Sequence, residues 1–233
     1  GSLGRLLHRT MPHAYSTMKL GVFRAMEQWE VARGGIRDLS WIFVACVPNS
    51  GSTALAWFLK GSPRAVTLFP TGEGDHRVPD MYRDARSYDP AYMPDIAQMR
   101  AIWLYYARRP GIRPAVVVEK SPFHLVRLGR LMDAFDDMPT GLIRLTRDPY
   151  AVAASWWQRY PLELIVKEWD PSIADRVTDE RSHFAELGRL WGAWMTVMME
   201  LGDRERLTIA YEVLCDDREE ACRLLLEAFP ELE

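Results

Sequence analysis

The sequence is poor in the features that mark several large classes of protein. Its 233 residues include only three cysteines, Cys46, Cys215 and Cys222, and no CxxC pair, so we expect buried free thiols rather than disulfides or a zinc site. The formal net charge of -3 gives no support for nucleic-acid binding. No apolar run of about 18 residues is present, so no transmembrane helix is expected. Because no signal peptide is apparent either, we expect a cytoplasmic location.

Metal-ligand spacing is absent as well. The five histidines match no ligand pattern such as HExxH, and no metal ion is predicted.

The sequence is rich in hydrophobic residues, which make up 48% of the chain and are enough for one sizeable core. We expect an N-terminal helical lead-in over residues 1–40, with a helix from Tyr15 to Arg33, and a single domain over residues 41–233.

Short apolar runs and longer helical patterns alternate along this domain. The runs predict strands at Trp41–Val47, Ala65–Phe69, Ala115–Val118, Leu142–Thr146 and Leu207–Tyr211. The apolar spacing between them predicts helices at Ala54–Leu59, Ile96–Arg108, Phe123–Phe135, Tyr150–Arg159, Glu180–Leu201 and from Asp216 or Asp217 to about Phe229. No clear element is predicted from Tyr160 to Asp179. The predicted fold is α/β, a P-loop-like three-layer fold with a central parallel sheet flanked by helices.

Small polar residues follow the first predicted strand, in the segment Pro48-Asn49-Ser50-Gly51-Ser52-Thr53. A turn of this kind before a helix directs backbone N–H groups, hydroxyls and the positive end of the helix dipole at one point, which is how proteins bind phosphate or sulfate groups. A Walker loop has the form GxxxxGK[ST], but no lysine follows Gly51 here. The loop therefore predicts an anion site and disfavours a nucleoside triphosphatase.

A second anion-binding arrangement follows the fourth predicted strand. Arg147 ends that strand, and Asp148 and Pro149 suit the cap and first turn of the next helix. Ser155 lies eight residues after Arg147 and comes round toward the same edge of the sheet, where a guanidinium group and a hydroxyl can share one phosphate. The alternative is a surface arginine beside a small helical serine.

Polar clusters also follow the second and third predicted strands. Gly72 to Arg77 reads GEGDHR, and Glu119-Lys120-Ser121-Pro122 reads EKSP. In open parallel sheets, ligands bind at the carboxyl ends of the strands. Four polar clusters at that one edge therefore predict a single functional site there.

Together these segments resemble the sulfotransferases that use 3′-phosphoadenosine 5′-phosphosulfate (PAPS). The first loop is similar to their Pro-Lys/Arg-Ser-Gly-Ser/Thr-Thr loop, which implies that the 5′-phosphosulfate is bound by Asn49, Ser50, Gly51, Ser52 and Thr53. Arg147-Asp148-Pro149 with Ser155 is similar to their second signature, which implies that Arg147 and Ser155 bind the 3′-phosphate.

Three further segments carry the resemblance. The EKSP segment is similar to the EKSP or EKTP segment of glycan-modifying members, and Tyr211-Glu212-Val213-Leu214 is similar to the segment after their last core strand. The stretch GEGDHRVP is similar to the loop of tyrosylprotein-type members that carries a catalytic glutamate. The resemblance implies a nucleotide-binding transferase with PAPS as co-substrate and no metal.

The chemistry of sulfuryl transfer assigns roles to these residues. The attacking hydroxyl or amine needs a base, for which Glu73 is the first candidate and His76 the second. Lys120 is the candidate for electrophilic stabilisation, and its alternative role is an ion pair with Glu119 or Asp148. The loop departs from the family at Asn49, where members carry lysine or arginine, so its bond to the leaving oxygen lacks a charge. Lys120 is the residue that can compensate.

The sequence therefore predicts a PAPS-dependent sulfotransferase. A glycan acceptor is favoured by the EKSP segment and a peptide tyrosine comes second, with Tyr82, Tyr88 and Tyr92 as candidates for the acceptor cleft. The alternatives are a non-catalytic nucleotide-binding protein of the same fold, motivated by Asn49, and a nucleotide-kinase-like phosphotransferase. No nucleic-acid partner is expected.

Overall fold

The computed structural model describes residues 21–29, 38–78, 88–108 and 115–233. Residues 21–29 are helical, in agreement with part of the helix expected from Tyr15 to Arg33, and the rest of that helix lies outside the described residues. Five strands form one sheet within the described residues: β1 Ser40–Ala45, β2 Ala65–Thr67, β3 Val116–Glu119, β4 Thr140–Thr146 and β5 Glu205–Ala210. Each predicted apolar run is thus a strand.

The strands lie in the order β2-β3-β1-β4-β5, and every neighbouring pair is parallel. From β1 the chain goes to the edge strand β2 and returns to place β3 between β2 and β1. It then crosses to the other side of β1 for β4 and β5. β1 consequently lies between β3 and β4, and the loops after these three strands meet at the point where the winding reverses. This topology confirms the predicted three-layer α/β fold.

Both faces of the sheet are buried at the central strands β1, β3 and β4, which explains why these strands lack polar alternation. Trp41, Phe43 and Ala45 of β1 pack into one apolar cluster, while Ile42 and Val44 pack into the other. The helices that cover these faces are α1 Ser52–Leu59, α2 Ile96–Ala107, α3 Leu128–Asp133, α4 Pro149–Arg159, α5 Leu162–Glu168, α6 Glu180–Met199, α7 Tyr211–Asp216 and α8 Arg218–Ala228.

Helix caps follow the signals in the sequence. The Asp148 side chain accepts a hydrogen bond from Ala151 N at 2.7 Å at the start of α4, with Pro149 in the first turn. Asp217 caps α8 in the same way by accepting from Glu220 N at 2.9 Å. Asp148 therefore has the capping role that was expected of it, and it is not the partner of Lys120.

The structure differs from the sequence prediction in two places. Residues Pro122–Arg127 form a 3₁₀ helix before α3, where a single α-helix over Phe123–Phe135 was predicted. The Phe123 carbonyl, which an α-helix would pair with a backbone N–H four residues on, accepts from the Arg127 guanidinium at 2.5 Å. Helix α5 and the 3₁₀ helix Pro171–Asp175 lie in the stretch for which no clear element was predicted.

The cysteines correct a further expectation. All three are free thiols, but only Cys46 is buried, while Cys215 and Cys222 are exposed on α7 and α8. Burial raises the pKa of Cys46 to about 11, so this thiol is held protonated.

Among the described residues, no helix combines the length and the apolar character needed to cross a membrane.

Candidate active site

A cleft of about 650 Å³ opens at the carboxyl edge of the sheet, where the loops after β1, β3 and β4 meet. It brings together eight of the ten residues that the sequence singled out: Asn49, Gly51, Ser52, Thr53, Glu73, Lys120, Arg147 and Ser155. The other two, Ser50 and His76, lie behind this lining. Ser50 is fully buried and donates its hydroxyl to the Val47 carbonyl at 2.8 Å, which closes the loop on itself.

The loop after β1 has a backbone that favours small residues. Asn49 and Gly51 both have positive φ, of 60° and 92°. A Cβ atom at Gly51 would lie 2.0 Å from the ring of Tyr211, so glycine is required by space as well as by conformation. Gly51 caps α1 without a side-chain bond, and the first N–H groups of that helix are therefore available to an anion.

Two side chains from the β4–α4 segment hold this loop in place. Arg147 donates from Nη1 to the Asn49 carbonyl at 2.7 Å and lies over the Tyr211 ring, 4.7 Å from its centroid. Trp156 donates its indole N–H to the Pro48 carbonyl at 2.8 Å. The two predicted anion-binding segments are therefore in direct contact.

The side chain of Asn49 has an unused donor. Its Nδ2 atom is buried, and no group in the described part of the chain accepts a hydrogen bond from it. Its Oδ1 atom lies 3.5 Å from the Tyr160 hydroxyl. A buried donor without a partner is costly, so this amide fits a site at which an anionic oxygen is bound.

Glu73 and Lys120 form an ion pair inside the cleft. Lys120 is 1% exposed, and its Nζ lies 2.5 Å from Glu73 Oε1 and 3.0 Å from Thr53 Oγ1. The pairing of Lys120 with Glu119 or Asp148, considered from the sequence, is therefore wrong. Burial raises the pKa of Glu73, but the charge and hydrogen bond of Lys120 and the contact with His76 outweigh burial and bring its pKa below 4.5. Glu73 is therefore ionised at neutral pH.

His76 supports Glu73 from behind. Its Nε2 lies 2.9 Å from Glu73 Oε2, and its ring stacks on Phe69 at 4.2 Å between centroids. The Glu73 Oε2 atom also accepts from the Thr71 hydroxyl at 3.3 Å. The two candidate bases are thus in contact, but only Glu73 lines the cleft.

Two more carboxyl groups lie beneath this pair. Burial, followed by the charge of Glu73, raises the pKa of Asp75 to about 6. Burial, followed by the charge of Asp75, raises the pKa of Glu119 to about 8. His124 lies beside them with its pKa lowered by burial to about 3 and, within the described residues, with neither ring nitrogen hydrogen-bonded. The His124 ring packs edge-on against the Trp103 ring, with their centroids 5.6 Å apart.

The structure brings together three residues of the types that bind metals, a cluster that the spacing of the histidines did not predict. Ligand atoms of Glu73, Asp75 and His76 lie within 4.8 Å of one another. The Lys120 ammonium already contacts this group through Glu73 and balances its charge. The arrangement is therefore suited to an ion pair with lysine.

The sequence predicted only part of one wall of the cleft. Tyr88 was a candidate for the acceptor cleft and lines this wall. The wall also includes residues that were not predicted: Phe123, Arg159, Tyr160, Leu164, Glu168 and Trp169. Tyr82 lies outside the described residues. The ring contacts are continuous, with centroids 5.1 Å apart from Phe123 to Tyr88, 5.6 Å from Tyr88 to Trp169 and 4.8 Å from Trp169 to Tyr160. The Tyr160-Pro161 step with Glu163 in the next turn is a helix-start signal that points to α5.

Comparison with known proteins identifies relatives of this arrangement. The model of a family described as "Sulfotransferase family" matches residues 41–231. No curated protein matches the chain. Among solved structures, the chain is similar to the sulfotransferase domain from the curacin biosynthetic pathway, with 17% identity, a TM-score of 0.52 and coverage of 83% of this chain and 76% of that one. It is also similar to a sulfotransferase from Alicyclobacillus acidocaldarius, with 19% identity, a TM-score of 0.50 and coverage of 82% and 79%. At these identities the structural likeness shows a shared fold.

Proposed function

The chain belongs to the sulfotransferase family and is a sulfotransferase, and we propose that it moves a sulfuryl group from PAPS to an acceptor hydroxyl. One observation carries the proposal most directly. A single cleft is lined by the anion-binding loop after β1, by Arg147 and Ser155, and by the ion pair of Glu73 and Lys120. An anion site, a second phosphate site and an acid–base pair are what this transfer requires.

The nucleotide side of the cleft is formed by the loop and α4. The N–H groups of Ser52 and Thr53 begin α1 and bind the 5′-phosphosulfate, with the unused Nδ2 of Asn49 as a further donor. Arg147 and Ser155 bind the 3′-phosphate from the facing wall. Arg147 also holds the Asn49 carbonyl, so it shapes the loop as well as binding phosphate.

Adenine binds in a second groove of about 510 Å³, which is lined by α1 and by Tyr211. The residue after Thr53 is Ala54, which offers no aromatic face, so an aromatic partner for adenine must come from elsewhere. Trp57, three residues further along α1, is 62% exposed and lines this groove with Tyr211. Flat aromatic faces of this kind stack on nucleobases.

The reacting groups are Glu73 and Lys120. Glu73 accepts the proton of the acceptor hydroxyl while the oxygen of that hydroxyl bonds to sulfur and the bond from sulfur to the phosphate oxygen breaks. Lys120 donates to that phosphate oxygen as its negative charge develops. As Lys120 turns from Glu73 toward the phosphate oxygen, Glu73 loses the contact that lowers its pKa and becomes a stronger base.

The acceptor binds against the aromatic wall of Phe123, Tyr88, Trp169 and Tyr160. This wall runs from the Lys120 segment to Asn49, which the Tyr160 hydroxyl approaches at 3.5 Å. Aromatic faces favour an acceptor with an aromatic or apolar surface, and each such ring offers a large contact area. Among glycans, which the EKSP segment favours, the wall suits a sugar that presents an uncharged face.

The test uses calorimetry with the product 3′-phosphoadenosine 5′-phosphate (PAP) together with an assay of sulfuryl transfer from PAPS. We expect Arg147→Ala to weaken PAP binding by tenfold or more, because it removes a charge-assisted phosphate contact. We expect Glu73→Gln to leave PAP affinity within twofold and to lower transfer by a factor of about 10² to 10⁴, the usual contribution of a general base. Equal losses of PAP affinity in both variants contradict these roles.

The same experiment separates the alternatives. PAP binding without transfer to a panel of phenols, alcohols and neutral sugars supports a non-catalytic binding protein. Magnesium-dependent ATP turnover supports a phosphotransferase. Absence of PAP binding at high micromolar concentration overturns both the proposed transfer from PAPS and the binding-protein alternative.

A further inference from the structure

Two buried carboxyl groups beneath the Glu73 and Lys120 pair have no part in the proposed chemistry. Glu119 is 2% exposed and Asp75 is 1% exposed, and neither lines the cleft. Burying a carboxyl group is unfavourable unless hydrogen bonds satisfy it. The hydrogen-bond partners of Glu119 and Asp75 therefore indicate the role of these two carboxyl groups.

Glu119 connects the two loops that carry the reacting groups. Its Oε2 accepts from Gly74 N at 2.7 Å, and its Oε1 accepts from Ser121 N at 2.8 Å. Gly74 directly follows Glu73, and Ser121 directly follows Lys120. One carboxyl group thus bridges the backbone next to the base and the backbone next to the cation.

Asp75 makes a second connection between the same loops. Its Oδ1 accepts from the Ser121 hydroxyl at 3.0 Å and from His76 N at 2.9 Å. A third link is made by the backbone alone, since Lys120 N donates to the Gly72 carbonyl at 3.0 Å. The residues on both sides of Glu73 are therefore tied to the β3 segment.

The fit at Gly74 shows how closely the loops approach. A Cβ atom at this position would lie 2.4 Å from Glu119 Oε2 and 2.9 Å from the Trp103 indole. The indole N–H of Trp103 donates to the Gly74 carbonyl at 2.9 Å. Both polar groups of the Gly74 backbone are thus fixed by buried side chains.

We propose that Glu119 and Asp75 are positioning residues that hold Glu73 at contact distance from Lys120. The consequence for catalysis rests on the proposed function, while the effect on loop geometry does not. The two carboxyl groups act through Glu73 and Lys120 and do not contact the substrate. Because misplacement of a reacting group by about 1 Å can cost a factor of about 10² in rate, this support governs turnover.

The first test is Glu119→Gln. A carboxyl group can accept a hydrogen bond at each oxygen even when it carries a proton, whereas an amide has one acceptor oxygen. In Glu119→Gln, one of the two backbone donors that face Glu119 therefore loses its partner and meets another donor. We expect kcat to fall by tenfold or more, with the KM for PAPS and the affinity for PAP within twofold of the wild type. A parallel loss of PAP affinity overturns the proposal, because it indicates damage to the whole site.

The matched control is Glu186→Gln. Glu186 is also 2% exposed, but it lies on α6 and pairs with Arg176 and Arg189, away from the cleft. We expect this variant to lose stability and to keep its kcat. In a Glu73→Gln background, Glu119→Gln should cause little further loss of rate, since it acts through Glu73. Losses that multiply overturn the proposal.

Hydrogen exchange over residues 71–78 supplies a readout that needs no activity. We expect faster exchange there in Glu119→Gln and in Asp75→Asn, and unchanged exchange in Glu186→Gln. If the wild type transfers no sulfuryl group but this pattern is found, the proposed function fails and the positioning role stands. Unchanged exchange in Glu119→Gln and Asp75→Asn overturns the positioning role whatever the activity.

Discussion

At the scale of single residues, Asn49 is where the chain departs most clearly from the family it resembles. Its φ of 60° lies in the left-handed region, which asparagine tolerates better than most residues. Its Nδ2 is buried and has no acceptor among the described residues. Asparagine therefore supplies a donor at low conformational cost, but it supplies no charge.

Asn49→Lys restores the cation. A hydrogen bond from a charged donor contributes about 1.5–3 kcal/mol, against about 0.5–1.5 kcal/mol for a neutral one, so we expect kcat to rise by about fivefold to tenfold. The left-handed backbone should lower stability by about 1–2 kcal/mol. Steady-state kinetics and thermal unfolding measure the two effects.

Asn49→Gln is the control for this change, because it lengthens the side chain without adding charge. A rise in kcat with lysine alone supports the effect of charge. An unchanged kcat in a folded lysine variant contradicts it and indicates that Lys120 already provides the charge needed at the leaving oxygen.

At the scale of elements, much of the arrangement follows from local patterns. The apolar run before Pro48 and the one before Arg147 predicted β1 and β4, since a strand buried on both faces needs no polar alternation. The carboxyl-edge rule then predicted that Glu73, Lys120 and Arg147 share one site. The pairing of Lys120 with Glu73 was not predictable, because the strand order that makes β2 and β3 neighbours depends on contacts between segments distant in sequence.

Other features depended on contacts over long sequence distances. The short helix α5 is held by the contact of Ile165 with the core and by Trp169 in the aromatic cluster, which a search for helical period does not detect. The hydrogen bond from Trp156 to the Pro48 carbonyl joins residues 108 positions apart. The sequence indicated Trp156 as apolar, but nothing in it indicated that α4 supports the loop after β1.

That support leads to a prediction for Trp156→Phe. The substitution removes the indole N–H and leaves the buried Pro48 carbonyl without this partner, which should lower stability by about 1–3 kcal/mol. Since Pro48 precedes the anion-binding residues, PAP affinity should fall as well. Denaturant unfolding and calorimetry measure the two quantities.

Trp41→Phe is the matched control, because Trp41 is 1% exposed and its indole nitrogen has no hydrogen-bond partner among the described residues. The same atoms are lost in both variants. We expect Trp41→Phe to leave PAP affinity unchanged. A similar loss of affinity in the two variants contradicts a specific role for the bond from Trp156.

At the scale of the whole molecule, the site and the core share the central sheet. At the carboxyl edge of this sheet, the charged residues Glu119 and Lys120 are buried next to the apolar core. Glu119 is the last residue of β3 and pairs in register with Phe43. The fold therefore places a titratable group within its apolar interior, and stability should depend on pH.

Three buried groups set the direction of this dependence. Between pH 4.5 and about 8 the folded chain retains a proton on Glu119 that the unfolded chain has lost, so stability falls as pH rises through that window. Asp75 acts in the same direction between pH 3.8 and about 6. His124 acts in the opposite direction between pH 3 and 6.5, because there the folded chain binds fewer protons. Of these three groups, only Glu119 has its folded-state pKa above pH 6.5.

The final prediction concerns the melting temperature between pH 6.5 and 8.0. Ionisation of Glu119 over this interval should cost up to about 2 kcal/mol, since each pH unit contributes at most about 1.4 kcal/mol. For a domain of this size, that corresponds to a decrease of about 5 °C. Glu119→Gln removes the titrating group, so its melting temperature should change less over the interval, while Glu186→Gln should keep the wild-type slope. Parallel curves for the wild type and Glu119→Gln contradict the assignment, because the buried carboxyl group would then not be the one that ionises.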